Sequence, residues 1–550
     1  MRELTYHRTF LPGIDRWATK VGFHDGDHHA TFEQHGDRVL RLADAMHTEL
    51  GLGRGDRFAV MAANSHQYLE LYHAGFLGAG IVNPLNLRLA GKELQFILAD
   101  SGSEVVFVDA IFADHFARNI AEVHDELPLR HVVLIGDADA PHDVRYEDLI
   151  ATGRAITPPE PNEEDPVVLM YTGGTTGLPK GVLLDQRAEL LNLYHIGMTV
   201  GFNDTRVYLH QTPMFHAASM GAVLGIPATG GQSTFVPLFD PGPVMDLVER
   251  HQVNWTVMVP TMIAMLLDHP DFRPERLASL TDLVYGASPM PADLLDRLQS
   301  LLPGTGLWQG YGMTECSSVL TFLTDEDHRT GGARLRSAGR PMMGVGIAIL
   351  DTEGRPVPRG SDGEICAQAG NFMQEYWHRP DETEEAFEGG WYHTGDEGHV
   401  DADGYVYLVD RVKDMIVTGG ENVYSVEVEN AISSHPAVDQ VAVIGIPHST
   451  WGEQVHAIVV LRARLETTLE ELQDHARLSI ASYKVPKSVE FRTEPIPLSG
   501  ALKPLKRELR RPYWEHDEQD DGAAPLPDTA ATSPAEDCLP GSRMGHRWTT

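Results

Sequence analysis

Cysteine is scarce in this chain: only Cys316, Cys366 and Cys538 occur among 550 residues, far apart and in no paired motif. That pattern excludes a disulfide framework or a thiol zinc site and fits a reducing compartment. Long apolar runs are also missing. The longest, residues 257–267, is broken by Pro260, and the opening Met1-Arg2-Glu3-Leu4 leads into no signal-like apolar core. No transmembrane segment is therefore expected, and the cytoplasm is the expected location. Positive charge is the third deficit, with 43 Lys and Arg against 79 Asp and Glu, a formal net charge of −36. A chain this acidic is unsuited to nonspecific nucleic-acid binding and carries no polybasic membrane anchor, so an anion site must gather its cations locally.

The length exceeds what one hydrophobic core supports, so two or more domains are expected. Up to about residue 410, helical and strand patterns alternate. Residues 38–46 have helical periodicity, 58–61 and 105–108 read as buried strands, and 188–200 reads as another helix. This is an α/β pattern with stacked sheets. From 411 to 512 a compact α+β unit follows, with an amphipathic helix over 426–432, paired strands over 441–444 and 455–460, and a helix over 469–478. Residues 513–550, acidic at first and then rich in Gly, Ala, Pro and Thr, read as a disordered tail.

One stretch satisfies the demand for a local anion site: Tyr171-Thr172-Gly173-Gly174-Thr175-Thr176-Gly177-Leu178-Pro179-Lys180-Gly181. Glycines let backbone N–H groups approach an anion, threonine hydroxyls add donors, and Lys180 supplies charge. It differs from a Walker A loop because Lys180 follows Pro179 and opens the strand-like Val182-Leu183-Leu184 rather than a helix. The predicted arrangement is a phosphate-holding turn between two strands.

Further motifs follow in order: Tyr285-Gly286-Ala287-Ser288-Pro289, Gln309-Gly310-Tyr311-Gly312-Met313-Thr314-Glu315, Tyr392-His393-Thr394-Gly395-Asp396, Asp410-Arg411-Val412-Lys413-Asp414, and Gly419-Gly420-Glu421-Asn422. Their order and spacing resemble the adenylate-forming superfamily, and most closely its acyl-CoA synthetases, over residues 32–511. The resemblance implies a large multi-sheet adenylation domain followed by a small mobile lid that turns about Lys413. It also implies ATP, Mg²⁺ and coenzyme A as cofactors and co-substrate, and a small carboxylic acid as partner. A homodimer is left open.

The resemblance carries roles residue by residue. Thr172, Gly173, Gly174, Thr175, Thr176, Gly177 and Lys180 match the loop on the β- and γ-phosphates, with Gly173 where many relatives have serine. Gly286, Ala287 and Ser288 match one wall of the adenine site, and Tyr311, between Gly310 and Gly312, matches the ring on its other face. By itself Tyr311 reads sooner as a core aromatic, and its place between two glycines ahead of Met313-Thr314-Glu315 reverses that. Thr314 lies in the same motif, and Glu315 matches the magnesium ligand, as one carboxylate suits an ion that keeps its waters. Asp396 and Arg411 match the ribose-gripping pair. His216 and Met220 match positions beside the acyl pocket, with Met220 where long-chain relatives can have a tryptophan gate. Gly419 and Gly420 match the pantetheine tunnel, though a plain glycine turn is the alternative. Lys503 matches the catalytic lysine of the lid, after Leu502 where the family has glycine, and Lys506 is its competitor.

The reading is an AMP-forming acid–thiol ligase: a carboxylic acid, fatty or related, is activated as an acyl-adenylate and transferred to coenzyme A. Transfer to a carrier protein or to oxygen is the nearer alternative. A nucleotide-binding regulatory protein without catalysis is the more distant one.

Overall fold

The computed structural model describes residues 3–514 except 88, 90, 122, 173–178, 289, 412–415, 419–420, 424, 449–450, 481 and 499–503. Among the described residues the strands form four sheets of nine, eight, four and five strands.

The eight-stranded sheet begins with the expected buried strands. Arg57–Met61 and Val105–Asp109 run parallel, with Phe58 opposite Val105 and Val60 opposite Phe107. Val105, Val106, Phe107 and Val108 are at most 1% exposed. Such unbroken apolar runs belong to parallel strands covered on both faces. Towards one edge the direction reverses: Pro166–Thr172 and Lys180–Asp185 pair antiparallel, and Glu375–Tyr376 joins the edge beyond them. The nine-stranded sheet likewise has a parallel centre, including Asp282–Gly286 beside Gly306–Tyr311, and antiparallel edges. The four-stranded sheet is antiparallel and carries Gly363–Gln368, Tyr392–Val400 and Val406–Arg411.

The helices begin where side chains can satisfy their first N–H groups. Phe32–Thr48 starts with a reciprocal cap between Thr31 and Gln34, and Gln186–Val200 starts with Asp185 accepting from the Ala188 N–H. The second of these helices ends at Gly201, whose φ of 75° suits glycine.

The smaller C-terminal unit is organised by period-two alternation. Val438–His448 and Gly452–Leu461 pair antiparallel, and Ser488–Arg492 lies parallel to the latter. Val443, Val455, Ala457 and Val459 meet the helices Ser425–Ser433 and Leu469–Ala476 on one face. Ala442, Ile444, Ile458 and Val460 meet Leu509 of Lys506–Trp514 on the other. That last helix extends past the expected start of the tail at 513. Tyr513 donates to Glu490 (2.5 Å), and the Trp514 indole donates to the Gly445 carbonyl (3.2 Å), anchoring two residues that composition alone assigned to the tail.

Inside Gln186–Val200, the Glu189 side chain is buried and neither of its oxygens has a hydrogen-bond partner among the described residues. Burial, reinforced by Asp185, raises its carboxyl well above the ordinary 4.5, so the folded chain keeps it protonated. The unfolded chain ionises above 4.5, and native stability therefore falls as pH rises, at about 1.4 kcal/mol per pH unit until the folded value is reached. Glu189→Gln should remove that slope. Urea denaturation at about pH 5 and about pH 8 checks this, and a variant as pH-sensitive as the parent would place a carboxylate there instead.

Candidate active site

The glycine-rich stretch lies between Pro166–Thr172 and Lys180–Asp185, which pair with Thr172 opposite Lys180. Gly173, Gly174, Thr175, Thr176 and Gly177 lie outside the described residues. Thr172 and Lys180 are half-buried at the ends of their strands. The Lys180 ammonium forms an ion pair with Glu382 and stands 5.2 Å from the centre of the Tyr376 ring. Lys180 in turn holds the Glu382 carboxyl below its ordinary value.

Tyr376 is there because its backbone forms an edge strand. It faces Val182, while the Trp377 N–H donates to the Gly181 carbonyl (2.7 Å) and the Gln374 N–H to the Leu183 carbonyl (2.9 Å). Its hydroxyl donates to Glu315 (2.9 Å) and meets the Tyr392 hydroxyl at 3.3 Å. Glu315 is fixed from its backbone as well, since its carbonyl accepts from the Met373 N–H (2.7 Å). One tyrosine thus links the lysine of the first motif to the acid of the third.

Gly286 and Gly310 face each other on adjacent parallel strands. A Cβ on Gly286 would stand 2.2 Å from the Gly310 oxygen, and one on Gly312 would stand 2.2 Å from the Ser318 oxygen. Ala287 (φ 65°), Ser317 (φ 59°) and Ser318 (φ 139°) hold positive φ nearby, a backbone cost that persists only where the surroundings over-determine it. Ser288, Gly312 and Thr314 are half-buried, and Cys316, fully buried, has its thiol pushed up to about 12 by burial.

The Tyr311 hydroxyl donates to Asp396 (2.7 Å), joining two residues that belong to separate motifs. Burial, then the neighbouring Asp396, pushes the Tyr311 phenol far above its ordinary value, so it acts as a donor at neutral pH. Asp396 is buried and lies opposite Arg411 in the antiparallel ladder, which fixes the backbone of that pair. The Arg411 side chain is outside the described set.

His216 and Met220 occupy a different element. His216 precedes the turn Ala217–Ser219 and accepts from the Ala218 N–H (3.2 Å), and Met220 begins Met220–Ala228. His216 is half-buried, whereas Met220 is fully buried within the largest apolar core. Lys413, Gly419, Gly420 and Lys503 lie outside the described residues. Lys506 is described: its ammonium pairs with Glu429 (2.7 Å) and donates to Ser425 (2.5 Å).

Three residues around this site escaped the sequence reading: Tyr376, Glu382 and Tyr392. Tyr392 opens a recognised motif and could have been proposed. Tyr376 and Glu382 had no local signal, because the first is placed by edge-strand pairing and the second, on the helix Pro380–Ala386, by an ion pair, both with a segment about two hundred residues earlier.

The family description "AMP-binding enzyme" matches residues 13–377, and "AMP-binding enzyme C-terminal domain" matches residues 427–503. The chain belongs to the AMP-binding enzyme family. A feruloyl-CoA synthase of an Amycolatopsis species is 38% identical over 499 residues, covering 88% of this chain and 96% of that protein. The medium/long-chain-fatty-acid–CoA ligase FadD8 of Mycobacterium tuberculosis is 34% identical over 536 residues, covering 94% and 91%. The structure of the anthranilate CoA ligase AuaEII with anthranoyl-AMP superposes with a TM-score of 0.86 at 25% identity, covering 94% of this chain and 98% of that one.

In this AMP-binding enzyme the two crowded glycines are where a single methyl must move backbone. Gly286→Ala and Gly312→Ala should each cost about 1–3 kcal/mol of stability. Gly304→Ala, whose Cβ would meet nothing within 4 Å, serves as the neutral control. Chemical denaturation gives the comparison, and losses no greater than the control's would mean that the strands part freely.

Proposed function

We propose that this AMP-binding enzyme catalyses an ATP-dependent acid–thiol ligation in two steps. The acid carboxylate attacks the α-phosphorus of ATP and pyrophosphate leaves, giving an acyl-adenylate; the thiol of coenzyme A then attacks the acyl carbon and AMP leaves. The observation that carries the reading is the Tyr376 bridge, which sets the Lys180 cation and the Glu315 carboxylate on one support beside the glycine-rich turn. No residue need act as nucleophile, so the chain contributes position and charge.

In this reading Lys180, Thr172 and the turn residues 173–177 hold the terminal phosphates. Glu315 is the magnesium ligand: a half-buried carboxylate oriented by one hydroxyl suits an ion that takes its other oxygens from phosphate and water. When bound, that ion would neutralise charge on the leaving pyrophosphate. Tyr311 flanks the adenine and orients Asp396, which with Arg411 takes the ribose hydroxyls. Gly286, Ala287 and Ser288 line the facing wall, and His216 and Met220 border the acyl pocket. Residues 411–512 form the lid, hinged at Lys413, presenting Lys503 for the first step and Gly419 and Gly420 for the second.

The engagement of Lys506 supports Lys503 as the lysine of the first step. Lys506 is tied to Glu429 and Ser425 within its own unit, and the flanks of 499–503 are closed on each other by the Leu498–Pro504 bridge. The substrate is a fatty or related acyl acid, to be found by a panel of aliphatic and aromatic carboxylic acids. Pyrophosphate release should need the acid, and stoichiometric AMP release should need coenzyme A as well. Absence of pyrophosphate release with every acid of the panel would overturn the reading. Lys503→Ala should abolish pyrophosphate release yet still convert a supplied acyl-adenylate to thioester, whereas Lys506→Ala should lower stability and keep the first step. Loss of the first step in Lys506→Ala alone would shift the register to that lysine.

Glu382 shares Lys180 with the incoming phosphates, and this predicts a gain on its removal. Glu382→Gln should lower the KM for ATP by about two- to fivefold, the worth of a partly exposed ion pair, while Lys180→Met raises it. An unchanged KM in both variants would take Lys180 out of the phosphate site.

A further inference from the structure

The antiparallel pair Gly363–Gln368 and Tyr392–Val400 is interrupted at the point where it presents Asp396. Glu364 faces Glu397 and Cys366 faces His393, so the single residue Ile365 stands across from Thr394, Gly395 and Asp396. This is a bulge, a device that re-aims side chains. Glu364 and Cys366 are two apart on one strand and share a face, and His393 lies opposite Cys366. The result is a convergence of a carboxylate, a thiol and an imidazole, with ligand atoms all within 4.8 Å of one another.

The imidazole and the carboxylate are each oriented by backbone on the far side. The imidazole Nε2 is 3.2 Å from the Glu388 carbonyl, an acceptor that would take the Nε2 proton when a metal ion replaces the proton on Nδ1. Glu364 Oε1 accepts from the Gly395 N–H (3.0 Å), while Oε2 is 2.8 Å from His393 Nδ1. Cys366 Sγ is 3.5 Å from the same nitrogen. A tetrahedral zinc ion with ordinary Zn–S and Zn–N bonds separates its sulfur and nitrogen by about 3.5 Å and its nitrogen and oxygen by about 3.3 Å. The thiol and imidazole already have that spacing. Glu364, 30% exposed at its side chain, would swing outward by about 0.5 Å.

We propose that Glu364, Cys366 and His393 form a binding site for a divalent transition-metal ion of zinc-like softness, with the fourth position left to water. The donor set of one thiolate, one imidazole and one carboxylate suits Zn²⁺ or Co²⁺ and disfavours Mg²⁺, which prefers an all-oxygen shell. The site is separate from Glu315 in sequence and in donors. Because Glu364 also holds Gly395, the ion is coupled to the bulge that carries Asp396. The scarcity and spacing of cysteines hid this arrangement: paired thiols are absent, and a single thiol with two other donors two and twenty-seven residues away has no motif.

Cobalt is the probe, because a thiolate–Co²⁺ bond gives a charge-transfer absorption that imidazole and carboxylate ligands do not. Full-length chain carrying Cys538→Ser, stripped of metal, is titrated with Co²⁺. The charge-transfer band should grow to one ion per chain and be bleached by Zn²⁺. Cys366→Ser should lack the band, and His393→Ala and Glu364→Gln, which retain the thiol, should each need at least tenfold more Co²⁺ for half-saturation. Circular dichroism confirms that each variant is folded, and the two side chains nearer solvent keep the test decisive if Cys366→Ser is not. No band in the parent, an undiminished band in Cys366→Ser, or parental affinity in both His393→Ala and Glu364→Gln would overturn the proposal.

Discussion

The addition of Glu375–Tyr376 to the edge of the eight-stranded sheet is the constraint on which the candidate site depends. Backbone pairing between 374–377 and 181–183 places one tyrosine ring beside Lys180 and its hydroxyl on Glu315. Lys180 stands on one strand of that sheet, whereas Glu315 belongs to a loop that leaves the nine-stranded sheet. Without the edge strand these two groups have no common support. Side-chain contacts alone would hold them poorly, because a lysine loses much conformational freedom when fixed.

Charge gives this arrangement its second purpose. A chain of net charge −36 repels a polyphosphate at long range, and the cation it offers is already paired with Glu382. Pairing keeps a partly buried ammonium from standing uncompensated when no anion is bound. In the proposed function an arriving phosphate replaces one acid with another, so the site never carries an isolated charge. Tyr311 gives Asp396 a neutral donor, which aims that carboxylate.

Much of the fold was legible beforehand because it follows from local pattern. The parallel strands near 58–61 and 105–108 are continuous apolar runs, the helix at 426–432 has period 3.6, and the C-terminal strands alternate between two cores. The tail boundary was misplaced by two residues for a physical reason. Tyr513 and Trp514 are ordered by Glu490 and Gly445, partners that composition cannot reveal. Lys503 against Lys506 was ambiguous for a similar reason, since a basic run does not say which lysine is committed to Glu429.

By itself, then, the sequence determined the α/β class, the two strands that flank the glycine-rich motif and the family to which the chain belongs. Each depends on interactions a few residues long or on motif order. Only the tertiary structure decided which residues meet: Tyr311 with Asp396, Lys180 with Glu382, Tyr376 with Glu315, and Cys366 with Glu364 and His393. These pairings arise from sheet register and a bulge. A shift of one residue in strand register turns every side chain to the opposite face, and nothing in the local sequence records that choice.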